Sequence, residues 1–308
     1  MRFSMHVPLG EISGGFQTME GVAAISRALE DAGIDAANVT DHPAPDSSWL
    51  HAHGHDAVDP FTALGFMAAS STSLLLHTNI VVLPYRNIFI TAKSAATLQM
   101  LSGGRLILGV GVGYQQIEFE ALGVDFARRG ALMNEALQTL ELTWAGGAVS
   151  AQGSGFSAVG VEPRPVPDPR PAIWIGGGSD RAVERAIRYG NGWSPFLVSP
   201  TVSRINQAAA IQSFDQLANK IRHIHGRRAE LGKASSFTIA LDLGGQRHPV
   251  DRSRAEIGRF AKLIGELAAI GVEWTVLKPS APDLTSFVNT VRWYGDEVIP
   301  AAKAMAAG

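Results

Sequence analysis

Residues 101–126, LSGGRLILGVGVGYQQIEFEALGVDF, hold a turn, a buried strand, a glycine-lined strand end and a helix start in one unit. Leu106 to Val110 is a continuous apolar run, the pattern of a parallel strand covered on both faces. Gly109, Gly111 and Gly113 then alternate where the strand opens into a loop. Glycine at every second position leaves one strand face without side chains, so a flat ring or a neighbouring backbone can lie against it. Tight strand packing explains the same run, and the spacing is not that of a dinucleotide fingerprint.

The same alternation extends along the chain. Strand candidates are Phe3–Val7, Ala36–Thr40, Leu74–Leu83, Leu106–Val110, Ile173–Ile175, Gly192–Phe196, Phe237–Leu241 and Trp274–Leu277. Amphipathic segments separate them at Thr18–Ala32, Pro60–Ser70, Ile88–Leu101, Phe126–Trp144, Asp180–Tyr189, Phe214–Leu231, Arg254–Ile270 and Asp283–Ala302. This repetition predicts an α/β fold, a (β/α)8 barrel, better than an open sheet. A glycine- and proline-rich stretch at about 145–171 interrupts it and reads as an insertion between strands 4 and 5 of a single domain spanning 1–308.

Composition narrows the function. The chain has 308 residues, 46% hydrophobic and 18% charged, an ordinary balance for a soluble enzyme. A net charge of −2 gives no basic footprint for nucleic acid, and no apolar run has the length of a membrane span. There is no cysteine, which excludes disulfides, thiolate metal sites and a cysteine nucleophile. The N-terminus enters a strand-like segment without a signal-peptide core, so the expectation is a cytoplasmic protein.

In such a barrel, chemistry sits at the C-terminal strand ends. Here they read Thr40-Asp41-His42-Pro43, His77-Thr78-Asn79, Gly111-Val112-Gly113-Tyr114 and Gly176-Gly177-Gly178-Ser179. His42 is the acid/base candidate, because histidine takes both proton states near neutrality. Asp41, its neighbour, serves either the site or the fold. The glycine turn before a helix capped by Ser179 or Asp180 suits a phosphate, although a plain capped turn has the same sequence. The usual barrel phosphate site follows strands 7 and 8. His51, His53 and His55 could converge on a metal, but they follow strand 2, and later strand ends offer Trp193 and Lys278 rather than ligands. No metal is expected.

TDHP at 40–43, HTNIVVLPYRN at 77–87, the opening stretch with its ARRG extension, PRP followed by IWIGGGS, and NGW at 191–193 resemble the bacterial-luciferase-like family. Within it, they are most similar to the deazaflavin-dependent oxidoreductases. The resemblance runs in order to about Pro195. It implies a barrel, a deazaflavin (coenzyme F420) or flavin mononucleotide (FMN) at the strand ends, and a homodimer. It places the ring system against Asn79 and Ile80 near Asp41 and His42, lined by Gly111, Val112, Gly113 and Tyr114. Gly176, Gly177, Gly178, Ser179 and Trp193 would hold the phosphate arm. It also implies a non-proline cis bond in a bulge of strand 3, at Asn79–Ile80.

The chain departs from the family pattern at Ile88, where proline is usual, and at Asn191, where aspartate is frequent. Leu197-Val198 supplies no lysine for a phosphate, which leaves F420 and FMN both open. The expected activity is hydride transfer between F420 and a small organic substrate, with His42 moving the proton. The alternatives are an FMN-dependent monooxygenase, a barrel metallohydrolase and a non-catalytic cofactor-binding protein. Arg86, the histidine loop and Arg247-His248 are possible substrate contacts.

Overall fold

The computed structural model describes residues 1–10, 15–52, 54–197, 211–233, 236–244, 248–249 and 251–307. Eight parallel strands close into a barrel: β1 (Arg2–His6), β2 (Ala36–Val39), β3 (Leu75–Val82), β4 (Leu106–Gly111), β7 (Ala172–Gly176), β8 (Gly192–Ser194), β9 (Thr238–Asp242) and β10 (Trp274–Leu277). All eight coincide with the strand candidates, within a few residues at each end. Strands β5 (Val149–Gly153) and β6 (Phe156–Val161) form an antiparallel hairpin inside the insertion. That hairpin was not foreseen, because glycines at 146, 147, 153, 155 and 160 dilute its alternation.

The α-helices among the described residues are α1 (Met19–Asp31), α2 (Ser47–Ala52), α3 (Pro60–Ala69), α4 (Ile88–Leu101), α5 (Gln116–Ala121), α6 (Arg129–Thr143), α7 (Asp180–Tyr189), α8 (Phe214–Glu230), α9 (Arg254–Ala269), α10 (Leu284–Trp293) and α11 (Ile299–Ala307). Their starts follow from local chemistry. Asp59 caps α3 by accepting from the Thr62 amide at 2.8 Å, with Pro60 at the first helical position. Asn87 caps α4 through the Phe89 and Ile90 amides. The single helix expected over Asp283–Ala302 is instead α10, a π turn over Tyr294–Val298, and α11. Pro300 explains the break, since it has no amide proton to bond back into the preceding turn.

Strand alternation sorts the side chains. Phe3, Met5, Leu76, Leu108, Val110, Ile173, Ile175, Ile239 and Leu241 join the large core beneath the helices. Ala36, Ile107, Trp174, Ala240 and Trp274 form a separate cluster inside the barrel, the bottom layer of its filling. The next layer is polar. Asn38 donates to Ser4 Oγ at 2.8 Å, and Ser4 Oγ lies 3.0 Å from His77 Nδ1. His77 is fully buried against Trp174, and burial holds it neutral with its pKa lowered to about 3. Two further steps along these strands, the same inner face reaches the C-terminal rim.

Candidate active site

The third strand breaks its register between Thr78 and Val81, and the Asn79–Ile80 peptide is cis, as the resemblance implied. The glycines of β4 make room for this bulge. A Cβ on Gly109 would stand 2.1 Å from the Thr78 carbonyl oxygen, and one on Gly111 would stand 1.9 Å from Ile80 Cδ1. The open strand face expected for a ring is therefore filled at these two positions by strand β3. Gly176, across on β7, faces the same side chain, with its Cβ position 3.3 Å from Ile80 Cγ2. Gly113, at φ +74°, turns the strand into the loop that carries Tyr114.

His42 follows the end of β2, and its side chain is 8% exposed. Its Nδ1 lies 3.3 Å from Glu118 Oε2 on α5, and also 3.3 Å from Gln115 Nε2. Gln115 is oriented by the Asp46 amide, which donates to Oε1 at 3.0 Å. Glu118 is 2% exposed, and its Oε1 accepts from the Ala44 amide at 3.2 Å. With its proton on Nδ1, His42 gives Glu118 a second donor beside the Ala44 amide; with the proton on Nε2, Nδ1 accepts from Gln115 Nε2 instead. The other nitrogen, Nε2, faces the Tyr114 hydroxyl at 3.5 Å. Burial pushes that phenol up to about 12, so it stays protonated.

Rings surround this histidine. Trp49 from α2 lies at 4.8 Å between centroids, His55 at 5.3 Å and Tyr114 at 5.9 Å. His55 also bonds Thr40 Oγ1 at 3.1 Å through Nε2, and burial followed by the charges of His42 and His6 lowers its pKa to about 3. His51 sits exposed on α2, and His53 lies outside the described residues. Among the described residues, no three metal-ligating side chains gather at one point.

Other expected residues take different places. Asp41 is 3% exposed; its carboxylate accepts from Arg86 Nη2 at 2.5 Å, Arg86 Nε at 3.0 Å and the Val82 amide at 3.1 Å. It pins the ends of β2 and β3 together rather than facing a ligand, and Arg86 is committed to it. Trp193 is fully buried among the helices and donates from Nε1 to the Gly177 carbonyl at 2.9 Å. It holds the glycine turn from behind instead of touching a phosphate. His248 is 4% exposed against Phe260, Leu197 is buried, and Arg247 and Val198 lie outside the described residues.

The Gly176-Gly177-Gly178-Ser179 turn leads into α7, with Ser179 Oγ accepting from the Ala182 amide at 3.1 Å. Gly177 has φ +99°, a conformation that other residues adopt only under strain. Ser194, paired in register with Gly176, buries its Oγ without a hydrogen-bond partner at the same rim. Lys220 of α8 pairs with Asp180 in the first turn of α7, so a cation stands beside the turn after all. Sequence reasoning missed it because it comes from α8, the next described helix after β8. It also missed Glu118, which sits in a helix beside the exposed Glu120.

The closed parallel barrel thus gathers a histidine–carboxylate pair, a tyrosine and a glycine turn before a helix at one rim. Residues 1–243 match the family of luciferase-like monooxygenases, and the chain belongs to that family. An F420-dependent hydroxymycolic acid dehydrogenase of Mycobacterium tuberculosis is 26% identical over 306 residues, covering 91% of this chain and 83% of its own. The structure of a monooxygenase from Streptomyces bottropensis superimposes with a TM-score of 0.76 at 18% identity, covering 97% of this chain and 99% of its own. That of an F420-dependent secondary alcohol dehydrogenase, in complex with an F420–acetone adduct, gives 0.73 at 17% identity, covering 98% of each. These two likenesses concern the fold.

Proposed function

We propose that this chain transfers a hydride between coenzyme F420 and a small organic substrate, with His42 as the proton-transferring residue. The observation that carries the reading is the His42–Glu118 pair at the rim, with Nε2 3.5 Å from the Tyr114 hydroxyl, where a reacting oxygen would join the two. A relative whose name states F420 dependence spans nine-tenths of the chain, which supports the cofactor.

The rim fits such a group. The positive φ of Gly177, the capped start of α7 and the unpartnered Ser194 Oγ form a cradle for a phosphate arm, with Lys220 beside it. Asn79 and Ile80, both partly exposed, would back the ring system, with Val112 and Tyr114 along its edge. When bound, F420 supplies a carbon that carries two electrons as hydride. The protein's own part is positioning and proton control. Glu118 fixes the His42 ring and takes Nδ1–H, so the proton moves at Nε2, to an alkoxide oxygen in reduction or from a hydroxyl in oxidation. Trp49 and His55 wall off His42 from bulk water.

The test is spectroscopic. Protein loaded with oxidised F420 and mixed with secondary alcohols, or loaded with reduced F420 and mixed with ketones, should change the absorbance of the deazaflavin without consuming oxygen. Oxygen uptake with protein loaded with reduced FMN, and no change with either form of F420, would favour the monooxygenase alternative and reject this one.

We further infer one barrel unit over the whole chain, acting as a homodimer. Exposed Ile90, Met100 and Leu101 on α4, with Phe66 on the adjacent α3, support a self-association face. A sedimentation mass of one chain at micromolar concentration would reject the dimer. No helix among the described residues is long and apolar enough to cross a membrane.

A further inference from the structure

A second polar group occupies the strand-end face away from Glu118. Lys278, immediately after β10, places Nζ 2.7 Å from Asp242 Oδ2 at the end of β9. Asp242 is 7% exposed and accepts from the Gly244 amide at 2.9 Å through its other oxygen. The carboxylate is fixed, while the ammonium, a third exposed, keeps donors to spare. His6 ends β1 between this pair and the His42 cluster. Its ring lies 6.4 Å from that of His55, which in turn touches His42. Burial, and then the charge of Lys278, lowers the pKa of His6 to about 4, so the ring is neutral near pH 7. His6 Nδ1 and the neighbouring Asn38 Oδ1 are both buried without a well-formed hydrogen bond, and Asn38 gives the His6 ring its one side-chain polar contact. Such a nitrogen costs free energy unless something comes to meet it.

We propose that His6 and the Lys278–Asp242 pair form the far pole of the substrate site and receive an uncharged hydroxyl or carbonyl oxygen, while the reacting oxygen lies at His42. The inference rests on the hydride-transfer reading and names its substrate class: a neutral molecule with two separated oxygens. An ammonium already bound to a carboxylate can give its remaining protons to a neutral oxygen. An anionic group at the same point would have to share Nζ with Asp242 and face that carboxylate at close range, which disfavours it. His6 Nδ1 accepts from a hydroxyl or donates to a carbonyl according to its tautomer. His55, held neutral between the two poles, adds no charge that would reward an anion.

The test is isothermal titration of the F420-loaded protein with the terminal diols of butane, hexane and octane, the matching mono-alcohols and the matching hydroxy acids. At least one diol should bind about tenfold or more tighter than its mono-alcohol and its hydroxy acid, the scale of one hydrogen bond to a charged group. His6→Phe should remove that advantage while leaving mono-alcohol and F420 affinity within about twofold. The paired variant Lys278→Met with Asp242→Asn should do the same, and avoids stranding a buried carboxylate. A hydroxy acid that binds tightest, no diol preference in the parent, or a preference that survives both variants overturns the proposal. Failure to load F420 at all would instead reject the hydride-transfer reading, so the two failures are told apart.

Discussion

His42 Nδ1 and Glu118 Oε2 stand 3.3 Å apart although 76 residues separate them in the chain. The pair ties the loop after β2 to α5 and sets which imidazole nitrogen is left for chemistry. His42→Ala should therefore lower turnover by about 10² or more, with F420 affinity changed by only a few fold. Glu118→Gln keeps a carbonyl for the Ala44 amide but loses the charge that holds the imidazole. It should lower kcat by about tenfold with KM unchanged, the mark of a positioning residue. Equal kcat in the parent and in either variant removes that residue from the mechanism.

The packing of β4 against the strand 3 bulge makes a separate prediction. Gly111→Ala collides with Ile80 Cδ1, an atom that Ile80→Val deletes, after which the nearest contact is Cγ1 at 3.4 Å. Gly111→Ala alone should cost about 1–3 kcal/mol, and the double variant should recover about 1 kcal/mol or more of it. Gly109→Ala meets the Thr78 carbonyl instead, so Ile80→Val should not rescue it. Denaturant unfolding of the three single and two double variants decides the matter, and strict additivity of Gly111→Ala with Ile80→Val contradicts the assigned contact.

Acid should weaken the fold through buried histidines. His6, His55, His77 and His248 all have pKa values lowered to about 3 or 4, in each case chiefly by burial. The unfolded chain binds these protons near the ordinary value of about 6.5, the folded chain only near 3 to 4. Their contribution is present above about pH 6.5 and is lost as pH falls toward the folded values, at about 1.4 kcal/mol per pH unit for each histidine. His77→Gln should reduce the slope of stability against pH between about 6 and 4 by one proton. An unchanged slope would mean that His77 takes up its proton within the fold.

The glycine turn offers a ligand-dependent readout. Gly177→Val forces a β-branched residue to φ +99°, with its Cβ 3.5 Å from Ala182 Cβ at the start of α7. F420 affinity should fall by about tenfold or more, beyond the effect on stability. Undiminished affinity would reduce the turn to a helix cap.

The barrel was legible because apolar strands, amphipathic helices and capping residues agree along most of the chain. Asp59-Pro60 and Ser179 announce their helices, and Leu106–Val110 reads as buried on both faces. The polar groups of His77-Thr78-Asn79 in an apolar strand pointed to the bulge, whereas the cis bond at Asn79–Ile80 came from family resemblance. The site was only half legible. His42 and the glycine turn stand at strand ends, where their positions follow from the strand pattern. Glu118 and Glu120 look alike in sequence, and only the packing of α5 turns one inward and leaves the other exposed. Asp41 and Trp193 look like ligand contacts by position, but strand alternation and the pull of Arg86 direct them into the scaffold. Lys278 was weighed only as a poor metal ligand, and its pairing with Asp242 is a contact between strands that no local pattern records.

Cofactor identity is the hinge of the account, and an equilibrium titration tests it most directly. Purified protein, freed of bound small molecules, is titrated with coenzyme F420 and in parallel with FMN, following the fluorescence of each. The account predicts saturable 1:1 binding of F420 in the micromolar range or tighter, with FMN weaker by about tenfold or more, a gap of about 1.4 kcal/mol. FMN binding the tighter of the two, or neither binding, would contradict it.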